Sequence, residues 1–307
     1  MIETFQVALP HGITLSCRAA GAQAAPLLVF LHGFPEAAFV WDEMLRHFAG
    51  RFRCVAPNLR GYEKSSAPAE VEAYRAKHLV ADLTALVEHC NAQAGRGADA
   101  PLEALVAHDW GGALAWNFAV QQRARLKRLV IINSPHPATF LRELQHSPQQ
   151  QAASAYMNFL CRPDAQALLC ANDFARLWPF FTNMGAADPA HPGGGWLTET
   201  VKDQYREVWS AGLDGGLNYY RASPLRPPTP ADQSVMQLQF PSEFVTVRVP
   251  TLVIWAEGDI ALPPALLDGL DAFVPDMDLV RVPGATHWIV HERPQRVAAE
   301  MERFLGR

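Results

Sequence analysis

An aspartate at a sharp turn is the residue of this chain best placed for covalent chemistry. Asp109 lies within residues 106–112, Val-Ala-His-Asp-Trp-Gly-Gly, after an apolar segment typical of a strand and before a helical one. Small residues let the backbone turn tightly there and hold the central side chain exposed, the arrangement of a nucleophile elbow. A carboxylate at that point can attack carbon and form an ester. The competing interpretation is an ordinary helix N-cap, a position that Asp favours.

Three further apolar segments end in residues that would complete such a site. They are residues 27–36, ending in His-Gly-Phe-Pro-Glu, residues 251–259, ending in Glu-Gly-Asp, and residues 279–288, ending in Ala-Thr-His-Trp. The first predicts backbone N–H donors for an oxyanion at Phe34 and, after the nucleophile, at Trp110. The second segment supplies an acid and the third a histidine. The order along the chain is then nucleophile, acid and base, each on a loop that follows an apolar strand. We therefore predict that His287 is the base and Asp259 its acid, with Glu257 as the weaker alternative.

With these motifs the chain resembles the epoxide hydrolase and haloalkane dehalogenase branch of the α/β-hydrolases, and soluble epoxide hydrolases most closely. The resemblance covers essentially the whole chain. The matching segments are residues 32–36, 60–62, 108–112, 217–221 and 285–288. It implies an α/β-hydrolase fold, with a mostly parallel eight-stranded sheet flanked by helices and an inserted helical cap.

The resemblance also implies an activity, the opening of hydrophobic epoxides to vicinal diols through an ester on Asp109. Water activated by His287 and Asp259 would hydrolyse that ester. Tyr156 and Tyr220 correspond to cap acids that protonate the opening oxygen, because a phenol keeps its proton at neutral pH and can still donate it. Tyr219 is the alternative to its neighbour and is expected to bind substrate together with Phe34 and Trp110. Simple packing of these tyrosines in the cap is the competing interpretation.

Two other functions stay open. A haloalkane or haloacetate dehalogenase would use the same Asp-His-Asp triad, but the haloalkane enzymes commonly have Asn where Phe34 stands. The haloacetate enzymes place Arg where this chain has Trp110. A halide needs donors but no protonation, so the two cap tyrosines favour the epoxide. A non-catalytic ligand receptor on the same fold is the more distant alternative.

The amino-acid composition limits the kinds of molecule that the protein is expected to bind. Its 307 residues are 49% hydrophobic, and the net charge of -5 leaves no basic patch for nucleic acid or anionic membranes. The five cysteines are scattered, which favours a reducing, cytoplasmic setting. His287 and His291 have a zinc-like spacing, but Trp288 stands where the metalloprotease motif needs Glu. We expect neither metal nor cofactor, and a small hydrophobic epoxide and water as partners; monomer and homodimer remain equally open.

Strand and helix patterns alternate along the chain and are interrupted once. Strands are predicted near residues 4–9, 13–17, 27–31, 53–56, 102–107, 128–133, 250–256 and 278–282. Helices are predicted over residues 77–90 and 294–305. Alternation of this kind predicts a mostly parallel sheet covered on both faces. Residues 135–240 lack strand patterns and are predicted to form the cap, between core segments 1–134 and 241–307.

Overall fold

Eight strands form one sheet in the described part of the chain, residues 1–306 of a computed structural model. The strands are β1 (Glu3–Ala8), β2 (Thr14–Ala20), β3 (Leu27–Leu31), β4 (Arg53–Pro57), β5 (Ala104–His108), β6 (Leu129–Ile132), β7 (Thr251–Ala256) and β8 (Met277–Val282). Their order across the sheet is β1-β2-β4-β3-β5-β6-β7-β8. β2 pairs antiparallel with β1 and β4, and the other neighbours are parallel. The predicted sheet is confirmed, although β2 continues to Ala20 because its last residues pair with β4.

The inner strands are buried on both faces because their sequences are unbroken apolar runs. All five residues of β3 are buried. Leu27, Val29 and Leu31 contribute to one core cluster, and Leu28 and Phe30 contribute to the other. The period of two along a strand explains this division. The sheet is therefore the rigid layer from which the loops at its carboxyl end project.

Helices cover both faces of the sheet. They are α1 (Asp42–Phe48), α2 (Ala76–Gln93), α3 (Trp110–Gln121), α4 (Pro137–His146), α5 (Pro148–Ala153), α6 (Tyr156–Leu160), α7 (Ala165–Phe174), α8 (Trp178–Thr182), α9 (Glu199–Ser210), α10 (Asp214–Ala222), α11 (Ile289–Glu292) and α12 (Pro294–Leu305). α2 is slightly longer than the helix predicted over 77–90, and α12 has the predicted bounds. Within residues 1–306, no helix is long and apolar enough to traverse a bilayer.

A long helical segment separates β6 from β7, although these two strands are neighbours in the sheet. Helices α4 to α10 all lie between them, and residues 133–250, every one of them described, add no strand. Tyr205 and Trp209 of α9 join the same core cluster as Leu83 of α2 and Leu114 of α3. The segment consequently packs on the body of the protein rather than standing apart from it.

Candidate active site

Asp109 stands at a strained turn between β5 and α3. Its φ of 49° and ψ of -122° lie where residues with a side chain are rarely found. Its carboxylate makes no capping bond to the helix that follows, so the N-cap interpretation is not supported. Two glycines make room: a Cβ on Gly111 would lie 2.5 Å from the Leu31 carbonyl oxygen, and one on Gly33 would lie 2.3 Å from the Asp109 carboxylate. The turn therefore requires its small neighbours.

The two oxygens of the Asp109 carboxylate have different surroundings. The backbone N–H of Phe34 donates to Oδ1 at 2.7 Å. Oδ2 lies 3.8 Å from Nε2 of His287. Trp110 is the first residue of α3, so its backbone N–H has no acceptor within the helix. One carboxylate oxygen is thus held by a backbone donor, while the other faces the imidazole.

The imidazole of His287 is held from behind by a buried carboxylate. Its Nδ1 lies 2.6 Å from Oδ2 of Asp259. Oδ1 of that carboxylate accepts from the backbone N–H groups of Ala261 and Leu262, at 2.8 and 3.0 Å. Asn133 donates its side-chain amide to Oδ2 at 2.9 Å. Hydrogen bonds to both oxygens fix the carboxylate, and the carboxylate in turn orients the imidazole.

Glu257, the alternative acid, and His291, which has a zinc-like spacing from His287, both have other partners. The carboxylate of Glu257 is 30% exposed and lies 3.3 Å from the guanidinium of Arg281, on the surface rather than at the imidazole. Nε2 of His291 lies 2.8 Å from Oε1 of Glu36. In residues 1–306 no group of three or more His, Cys, Asp or Glu side chains is arranged to hold a metal ion.

Tyr156 and Tyr220 lie together above the elbow, whereas the hydroxyl of Tyr219 is engaged elsewhere. The Tyr220 ring meets the Trp110 ring edge-on at 4.9 Å between centroids. Tyr156 lies 6.2 Å from Tyr220 in the same edge-on geometry. Tyr219 instead donates its hydroxyl to the backbone carbonyl of Arg60 at 2.9 Å. Of the two adjacent tyrosines, Tyr220 therefore has its hydroxyl available at the site.

A cavity of about 580 Å³ opens over Asp109. Trp110, Tyr156, Tyr219 and Tyr220 all line it. Many of the other side chains of its wall are large and apolar, among them Leu79, Trp116, Val120, Phe140, Met157 and Leu225. Phe34, expected to bind substrate, is 4% exposed and is not among the residues that line this cavity; its backbone N–H contacts the Asp109 carboxylate. The cavity suits an apolar molecule that reaches the carboxylate.

The sequence and the fold have close counterparts among known proteins. A sequence model of the alpha/beta hydrolase fold family matches residues 26–294. Epoxide hydrolase 3 of Xenopus tropicalis is 32% identical over 96% of this chain and 75% of its own length. The chain belongs to the epoxide hydrolase-like α/β-hydrolases. A crystallised epoxide hydrolase of Bacillus megaterium has a TM-score of 0.86 at 30% identity, covering 99% of this chain and 100% of that one. A hot-environment metagenomic epoxide hydrolase is 37% identical, with a TM-score of 0.77 and 99% coverage of both chains.

The pKa values of His287 and Asp259 in this α/β-hydrolase are set mainly by the opposite charges beside them. Burial alone would lower the pKa of His287, but the charge and hydrogen bond of Asp259, together with the charge of Asp109, raise it to about 9. Burial would raise the pKa of Asp259, but the imidazolium charge and the hydrogen bonds hold it below its usual range. At neutral pH the resting site therefore contains an imidazolium between two carboxylates.

Both tyrosines of the site keep their protons. Burial is the main reason that the pKa of Tyr156 lies well above its usual value, and the charge of Asp109 adds to the effect. Burial likewise raises the pKa of Tyr220, assisted by its neighbour Tyr156 and by Asp109. Both phenols can therefore donate a hydrogen bond, and neither carries charge at neutral pH.

Sequence reasoning missed two polar residues directly after β6. Asn133 donates to Asp259, and its Oδ1 accepts from the backbone N–H of Ala256 at 2.7 Å. Ser134 donates its hydroxyl to the backbone carbonyl of Asp109 at 2.7 Å. They stabilise the acid and the strained turn, respectively. No motif marks them, and their position at the carboxyl end of an inner strand is the signal that could have identified them.

A buried polar cluster behind the imidazole was also missed. Oε2 of Glu36 lies 3.2 Å from Nδ1 of His108, and Oε1 accepts from the Tyr205 hydroxyl at 3.0 Å and lies 2.8 Å from His291. Nε2 of His108 lies 2.9 Å from the His287 carbonyl oxygen. Burial would raise the pKa of Glu36, but its histidine partners hold that pKa far below the usual range. Glu36 thus adds a fixed negative charge that helps to raise the pKa of His287.

Proposed function

We propose that the protein hydrolyses hydrophobic epoxides to vicinal diols through an alkyl ester on Asp109. The observation that carries the proposal is a pair of phenols, the partly buried Tyr156 and the buried Tyr220, lining the cavity beside the Asp109 carboxylate. A leaving halide needs no proton, whereas an epoxide oxygen does. Relatives named as epoxide hydrolases at about 30% identity support the same choice.

In the first half-reaction, Oδ2 of Asp109 attacks an epoxide carbon and the carbon–oxygen bond of the ring breaks. The oxygen leaves as an alkoxide unless an acid is within reach. Tyr156 and Tyr220 supply that acid, since an alkoxide is a much stronger base than a phenolate and takes the proton readily. The product of this step is an ester with a free hydroxyl on the neighbouring carbon.

In the second half-reaction, the imidazolium of His287 first gives up its proton, which restores through solvent the phenol that ring opening deprotonated. Neutral His287 then takes a proton from water, and the hydroxide attacks the ester carbonyl carbon of Asp109. Oδ1 becomes the oxyanion and already lies at the Phe34 N–H, with the Trp110 N–H as the second donor. The imidazolium, stabilised by Asp259, protonates the departing alkoxide, and the diol leaves. The other water proton, left on the Asp109 carboxyl group, passes to His287 and restores the imidazolium of the resting site.

We propose the same division of the chain as the sequence indicates, with residues 135–240 as a cap between core segments 1–134 and 241–307. Tyr156 begins α6 and Tyr220 lies in α10, so both acids would come from the cap and the triad from the core. A cytoplasmic location belongs to the proposal as well, on the strength of the scattered, odd-numbered cysteines.

A panel of epoxides and haloalkanes assayed side by side, for diol and for halide release, tests the activity. We expect diol from hydrophobic epoxides and no comparable halide release. Asp109→Asn is the matched control and should be inactive towards both classes. Halide release without diol would replace this proposal with a dehalogenase.

Isotope labelling tests the ester directly. In heavy-oxygen water, a single turnover should give a diol that carries light oxygen from the protein, because the ester is cleaved at its carbonyl carbon. Repeated turnover should leave heavy oxygen on Asp109, detectable by mass spectrometry of the peptide that contains it. Incorporation of solvent oxygen into the diol in the first turnover would mean that water attacks the epoxide directly.

The raised pKa of His287 leads to a pH prediction. Asp109 contributes to that pKa of about 9 through its negative charge, and ester formation removes this charge. The pKa should then fall, which converts the imidazolium into the base that hydrolysis needs. NMR titration of the imidazole should give a lower pKa in Asp109→Asn than in the wild type, with the variant Asp271→Asn of an exposed residue unchanged. Equal values in all three proteins would contradict this coupling.

A further inference from the structure

One face of α3 forms a wall of the cavity from the nucleophile outwards. Most of the α3 residues that line the cavity share the spacing of a single helix face, and these are Trp110, Ala113, Leu114, Asn117, Val120 and Gln121; Trp116 lines it as well. Because an α-helix rises 1.5 Å per residue, the wall extends about 16 Å along the helix beyond Trp110. The cavity is therefore elongated along α3, outwards from Asp109.

Most polar side chains in this cavity away from Asp109 already have a backbone partner. Tyr74, Tyr219, His136 and Ser223 are bonded in this way. The exposed Gln121 has no such partner among the described residues. Asn117 is only partly exposed, and its amide nitrogen donates to the backbone carbonyl of Ala113 at 2.9 Å, which fixes the orientation of the side chain. Its Oδ1 accepts no hydrogen bond from any described residue and is left as an acceptor at the cavity wall.

The cavity carries no positive charge to match an anion. Of the described residues that line it, none is Lys or Arg, and Asp109 is the acid at its end. His136 is neutral at pH 7, since burial lowers its pKa to about 4 despite its bond to Val245. An ionised carboxylate placed in this cavity would lose its hydration without gaining an ion pair. The side chains that line the cavity thus favour neutral molecules over anions.

We infer that Asn117 determines specificity, by accepting a hydrogen bond from neutral, elongated epoxides that carry a hydroxyl remote from the ring. Asn117 is eight residues beyond Asp109, which corresponds to about 12 Å along the helix. A saturated chain of about nine carbons spans this distance, since C–C bonds of about 1.5 Å advance an extended chain by roughly 1.25 Å each. The inference rests on the proposed epoxide hydrolase activity.

Three terminal epoxides with the same nine-carbon chain, ending in a hydroxyl, a methyl or a carboxylate, test the inference. In Asn117→Leu the ratio of kcat/KM for the hydroxyl and methyl compounds should fall about three- to tenfold relative to the wild type, the range expected for one neutral hydrogen bond. Asn117→Ala provides the same loss should the leucine variant fold poorly. Gln122→Leu removes an amide at the end of α3 but outside the cavity, and should keep the wild-type ratio.

The carboxylate compound tests the charge argument. Wild-type kcat/KM should be at least tenfold lower for it than for the hydroxyl compound at pH 7. Comparable values for the two would overturn the preference for neutral molecules. An unchanged hydroxyl-to-methyl ratio in both Asn117 variants would overturn the role of Asn117.

A binding measurement separates this inference from the proposed activity. The 1,2-diols of the hydroxyl and methyl compounds need no turnover, and Trp110 and Trp116 in the cavity wall report their binding by fluorescence. The ratio of their Kd values should shift three- to tenfold in Asn117→Leu. If no epoxide is hydrolysed, including the short 1,2-epoxybutane, the proposed activity fails while the diol titrations still decide the role of Asn117. An equal Kd ratio in variant and wild type would overturn it.

Discussion

Replacing His287 with Gln is expected to trap the substrate as an ester on Asp109. Alkylation needs the carboxylate and the tyrosines, so it continues. Hydrolysis loses the base 3.8 Å from Asp109 Oδ2 and should slow by on the order of 10⁴- to 10⁶-fold, as it does when a triad base is removed. Intact-protein mass spectrometry should show the mass of one substrate added to the enzyme. Digestion should locate it on Asp109.

Two variants serve as controls for this experiment. The double variant Asp109→Asn/His287→Gln should form no adduct, which shows that the added mass requires the nucleophile. Asp259→Asn should slow hydrolysis by up to about 10⁴-fold, because the imidazole loses the partner that orients it. Absence of any adduct in His287→Gln, with substrate bound, would remove His287 from this role.

Removal of the two phenols should impair the opposite half of the reaction. Tyr156→Phe and Tyr220→Phe each keep the ring and delete one donor, and each should slow ester formation by about 10²-fold or more. The double variant should nearly abolish it. Ester hydrolysis should change much less, since its negative charge develops at the Phe34 N–H. Pre-steady-state alkylation rates from rapid mixing provide the measurement.

Tyr219→Phe is the matched control for the phenol variants. Its hydroxyl is bonded to the Arg60 carbonyl, so its loss should cost about 1 kcal/mol of folding free energy and affect alkylation far less. Wild-type alkylation rates in both Tyr156→Phe and Tyr220→Phe would exclude these tyrosines as the acids. A large effect confined to Tyr219→Phe would move that role to the neighbouring residue.

The sheet was predictable from the sequence because its inner strands consist of apolar runs with turn residues at their ends. The motif residues were predictable for a related reason, since each follows one of those runs. The limits were also physical. Adjacent residues of a helix point about 100° apart, and periodicity could not decide which of Tyr219 and Tyr220 faces the site. The hydroxyl contact to Arg60 distinguishes them only in three dimensions.

The supporting residues of the site were harder to predict because their partners are remote in the chain. Asn133 and Asp259 are 126 positions apart, and no local pattern relates them. Glu36 and His108 both lie in motif segments, yet their contact with each other spans 72 positions. Motifs within a short stretch of sequence predict the residues at strand ends that would act on the substrate. They do not predict which buried polar groups, far apart in the chain, contact one another beneath the site.

The insertion between β6 and β7 has a consequence for how the protein folds and diversifies. The chain leaves the sheet after Ile132 and returns at Thr251, which pairs with Leu129 at the other end of the neighbouring parallel strand. The entropy cost of closing such an excursion grows only with the logarithm of its length. Exchange or lengthening of the inserted helices should therefore disturb strand pairing little. Asp259 and His287 both follow this excursion, however, and Asp109 precedes it, so the acid and the imidazole meet the nucleophile only after the whole excursion has closed. Newly made chains should accordingly gain catalytic competence late, after the amino-terminal strands have paired.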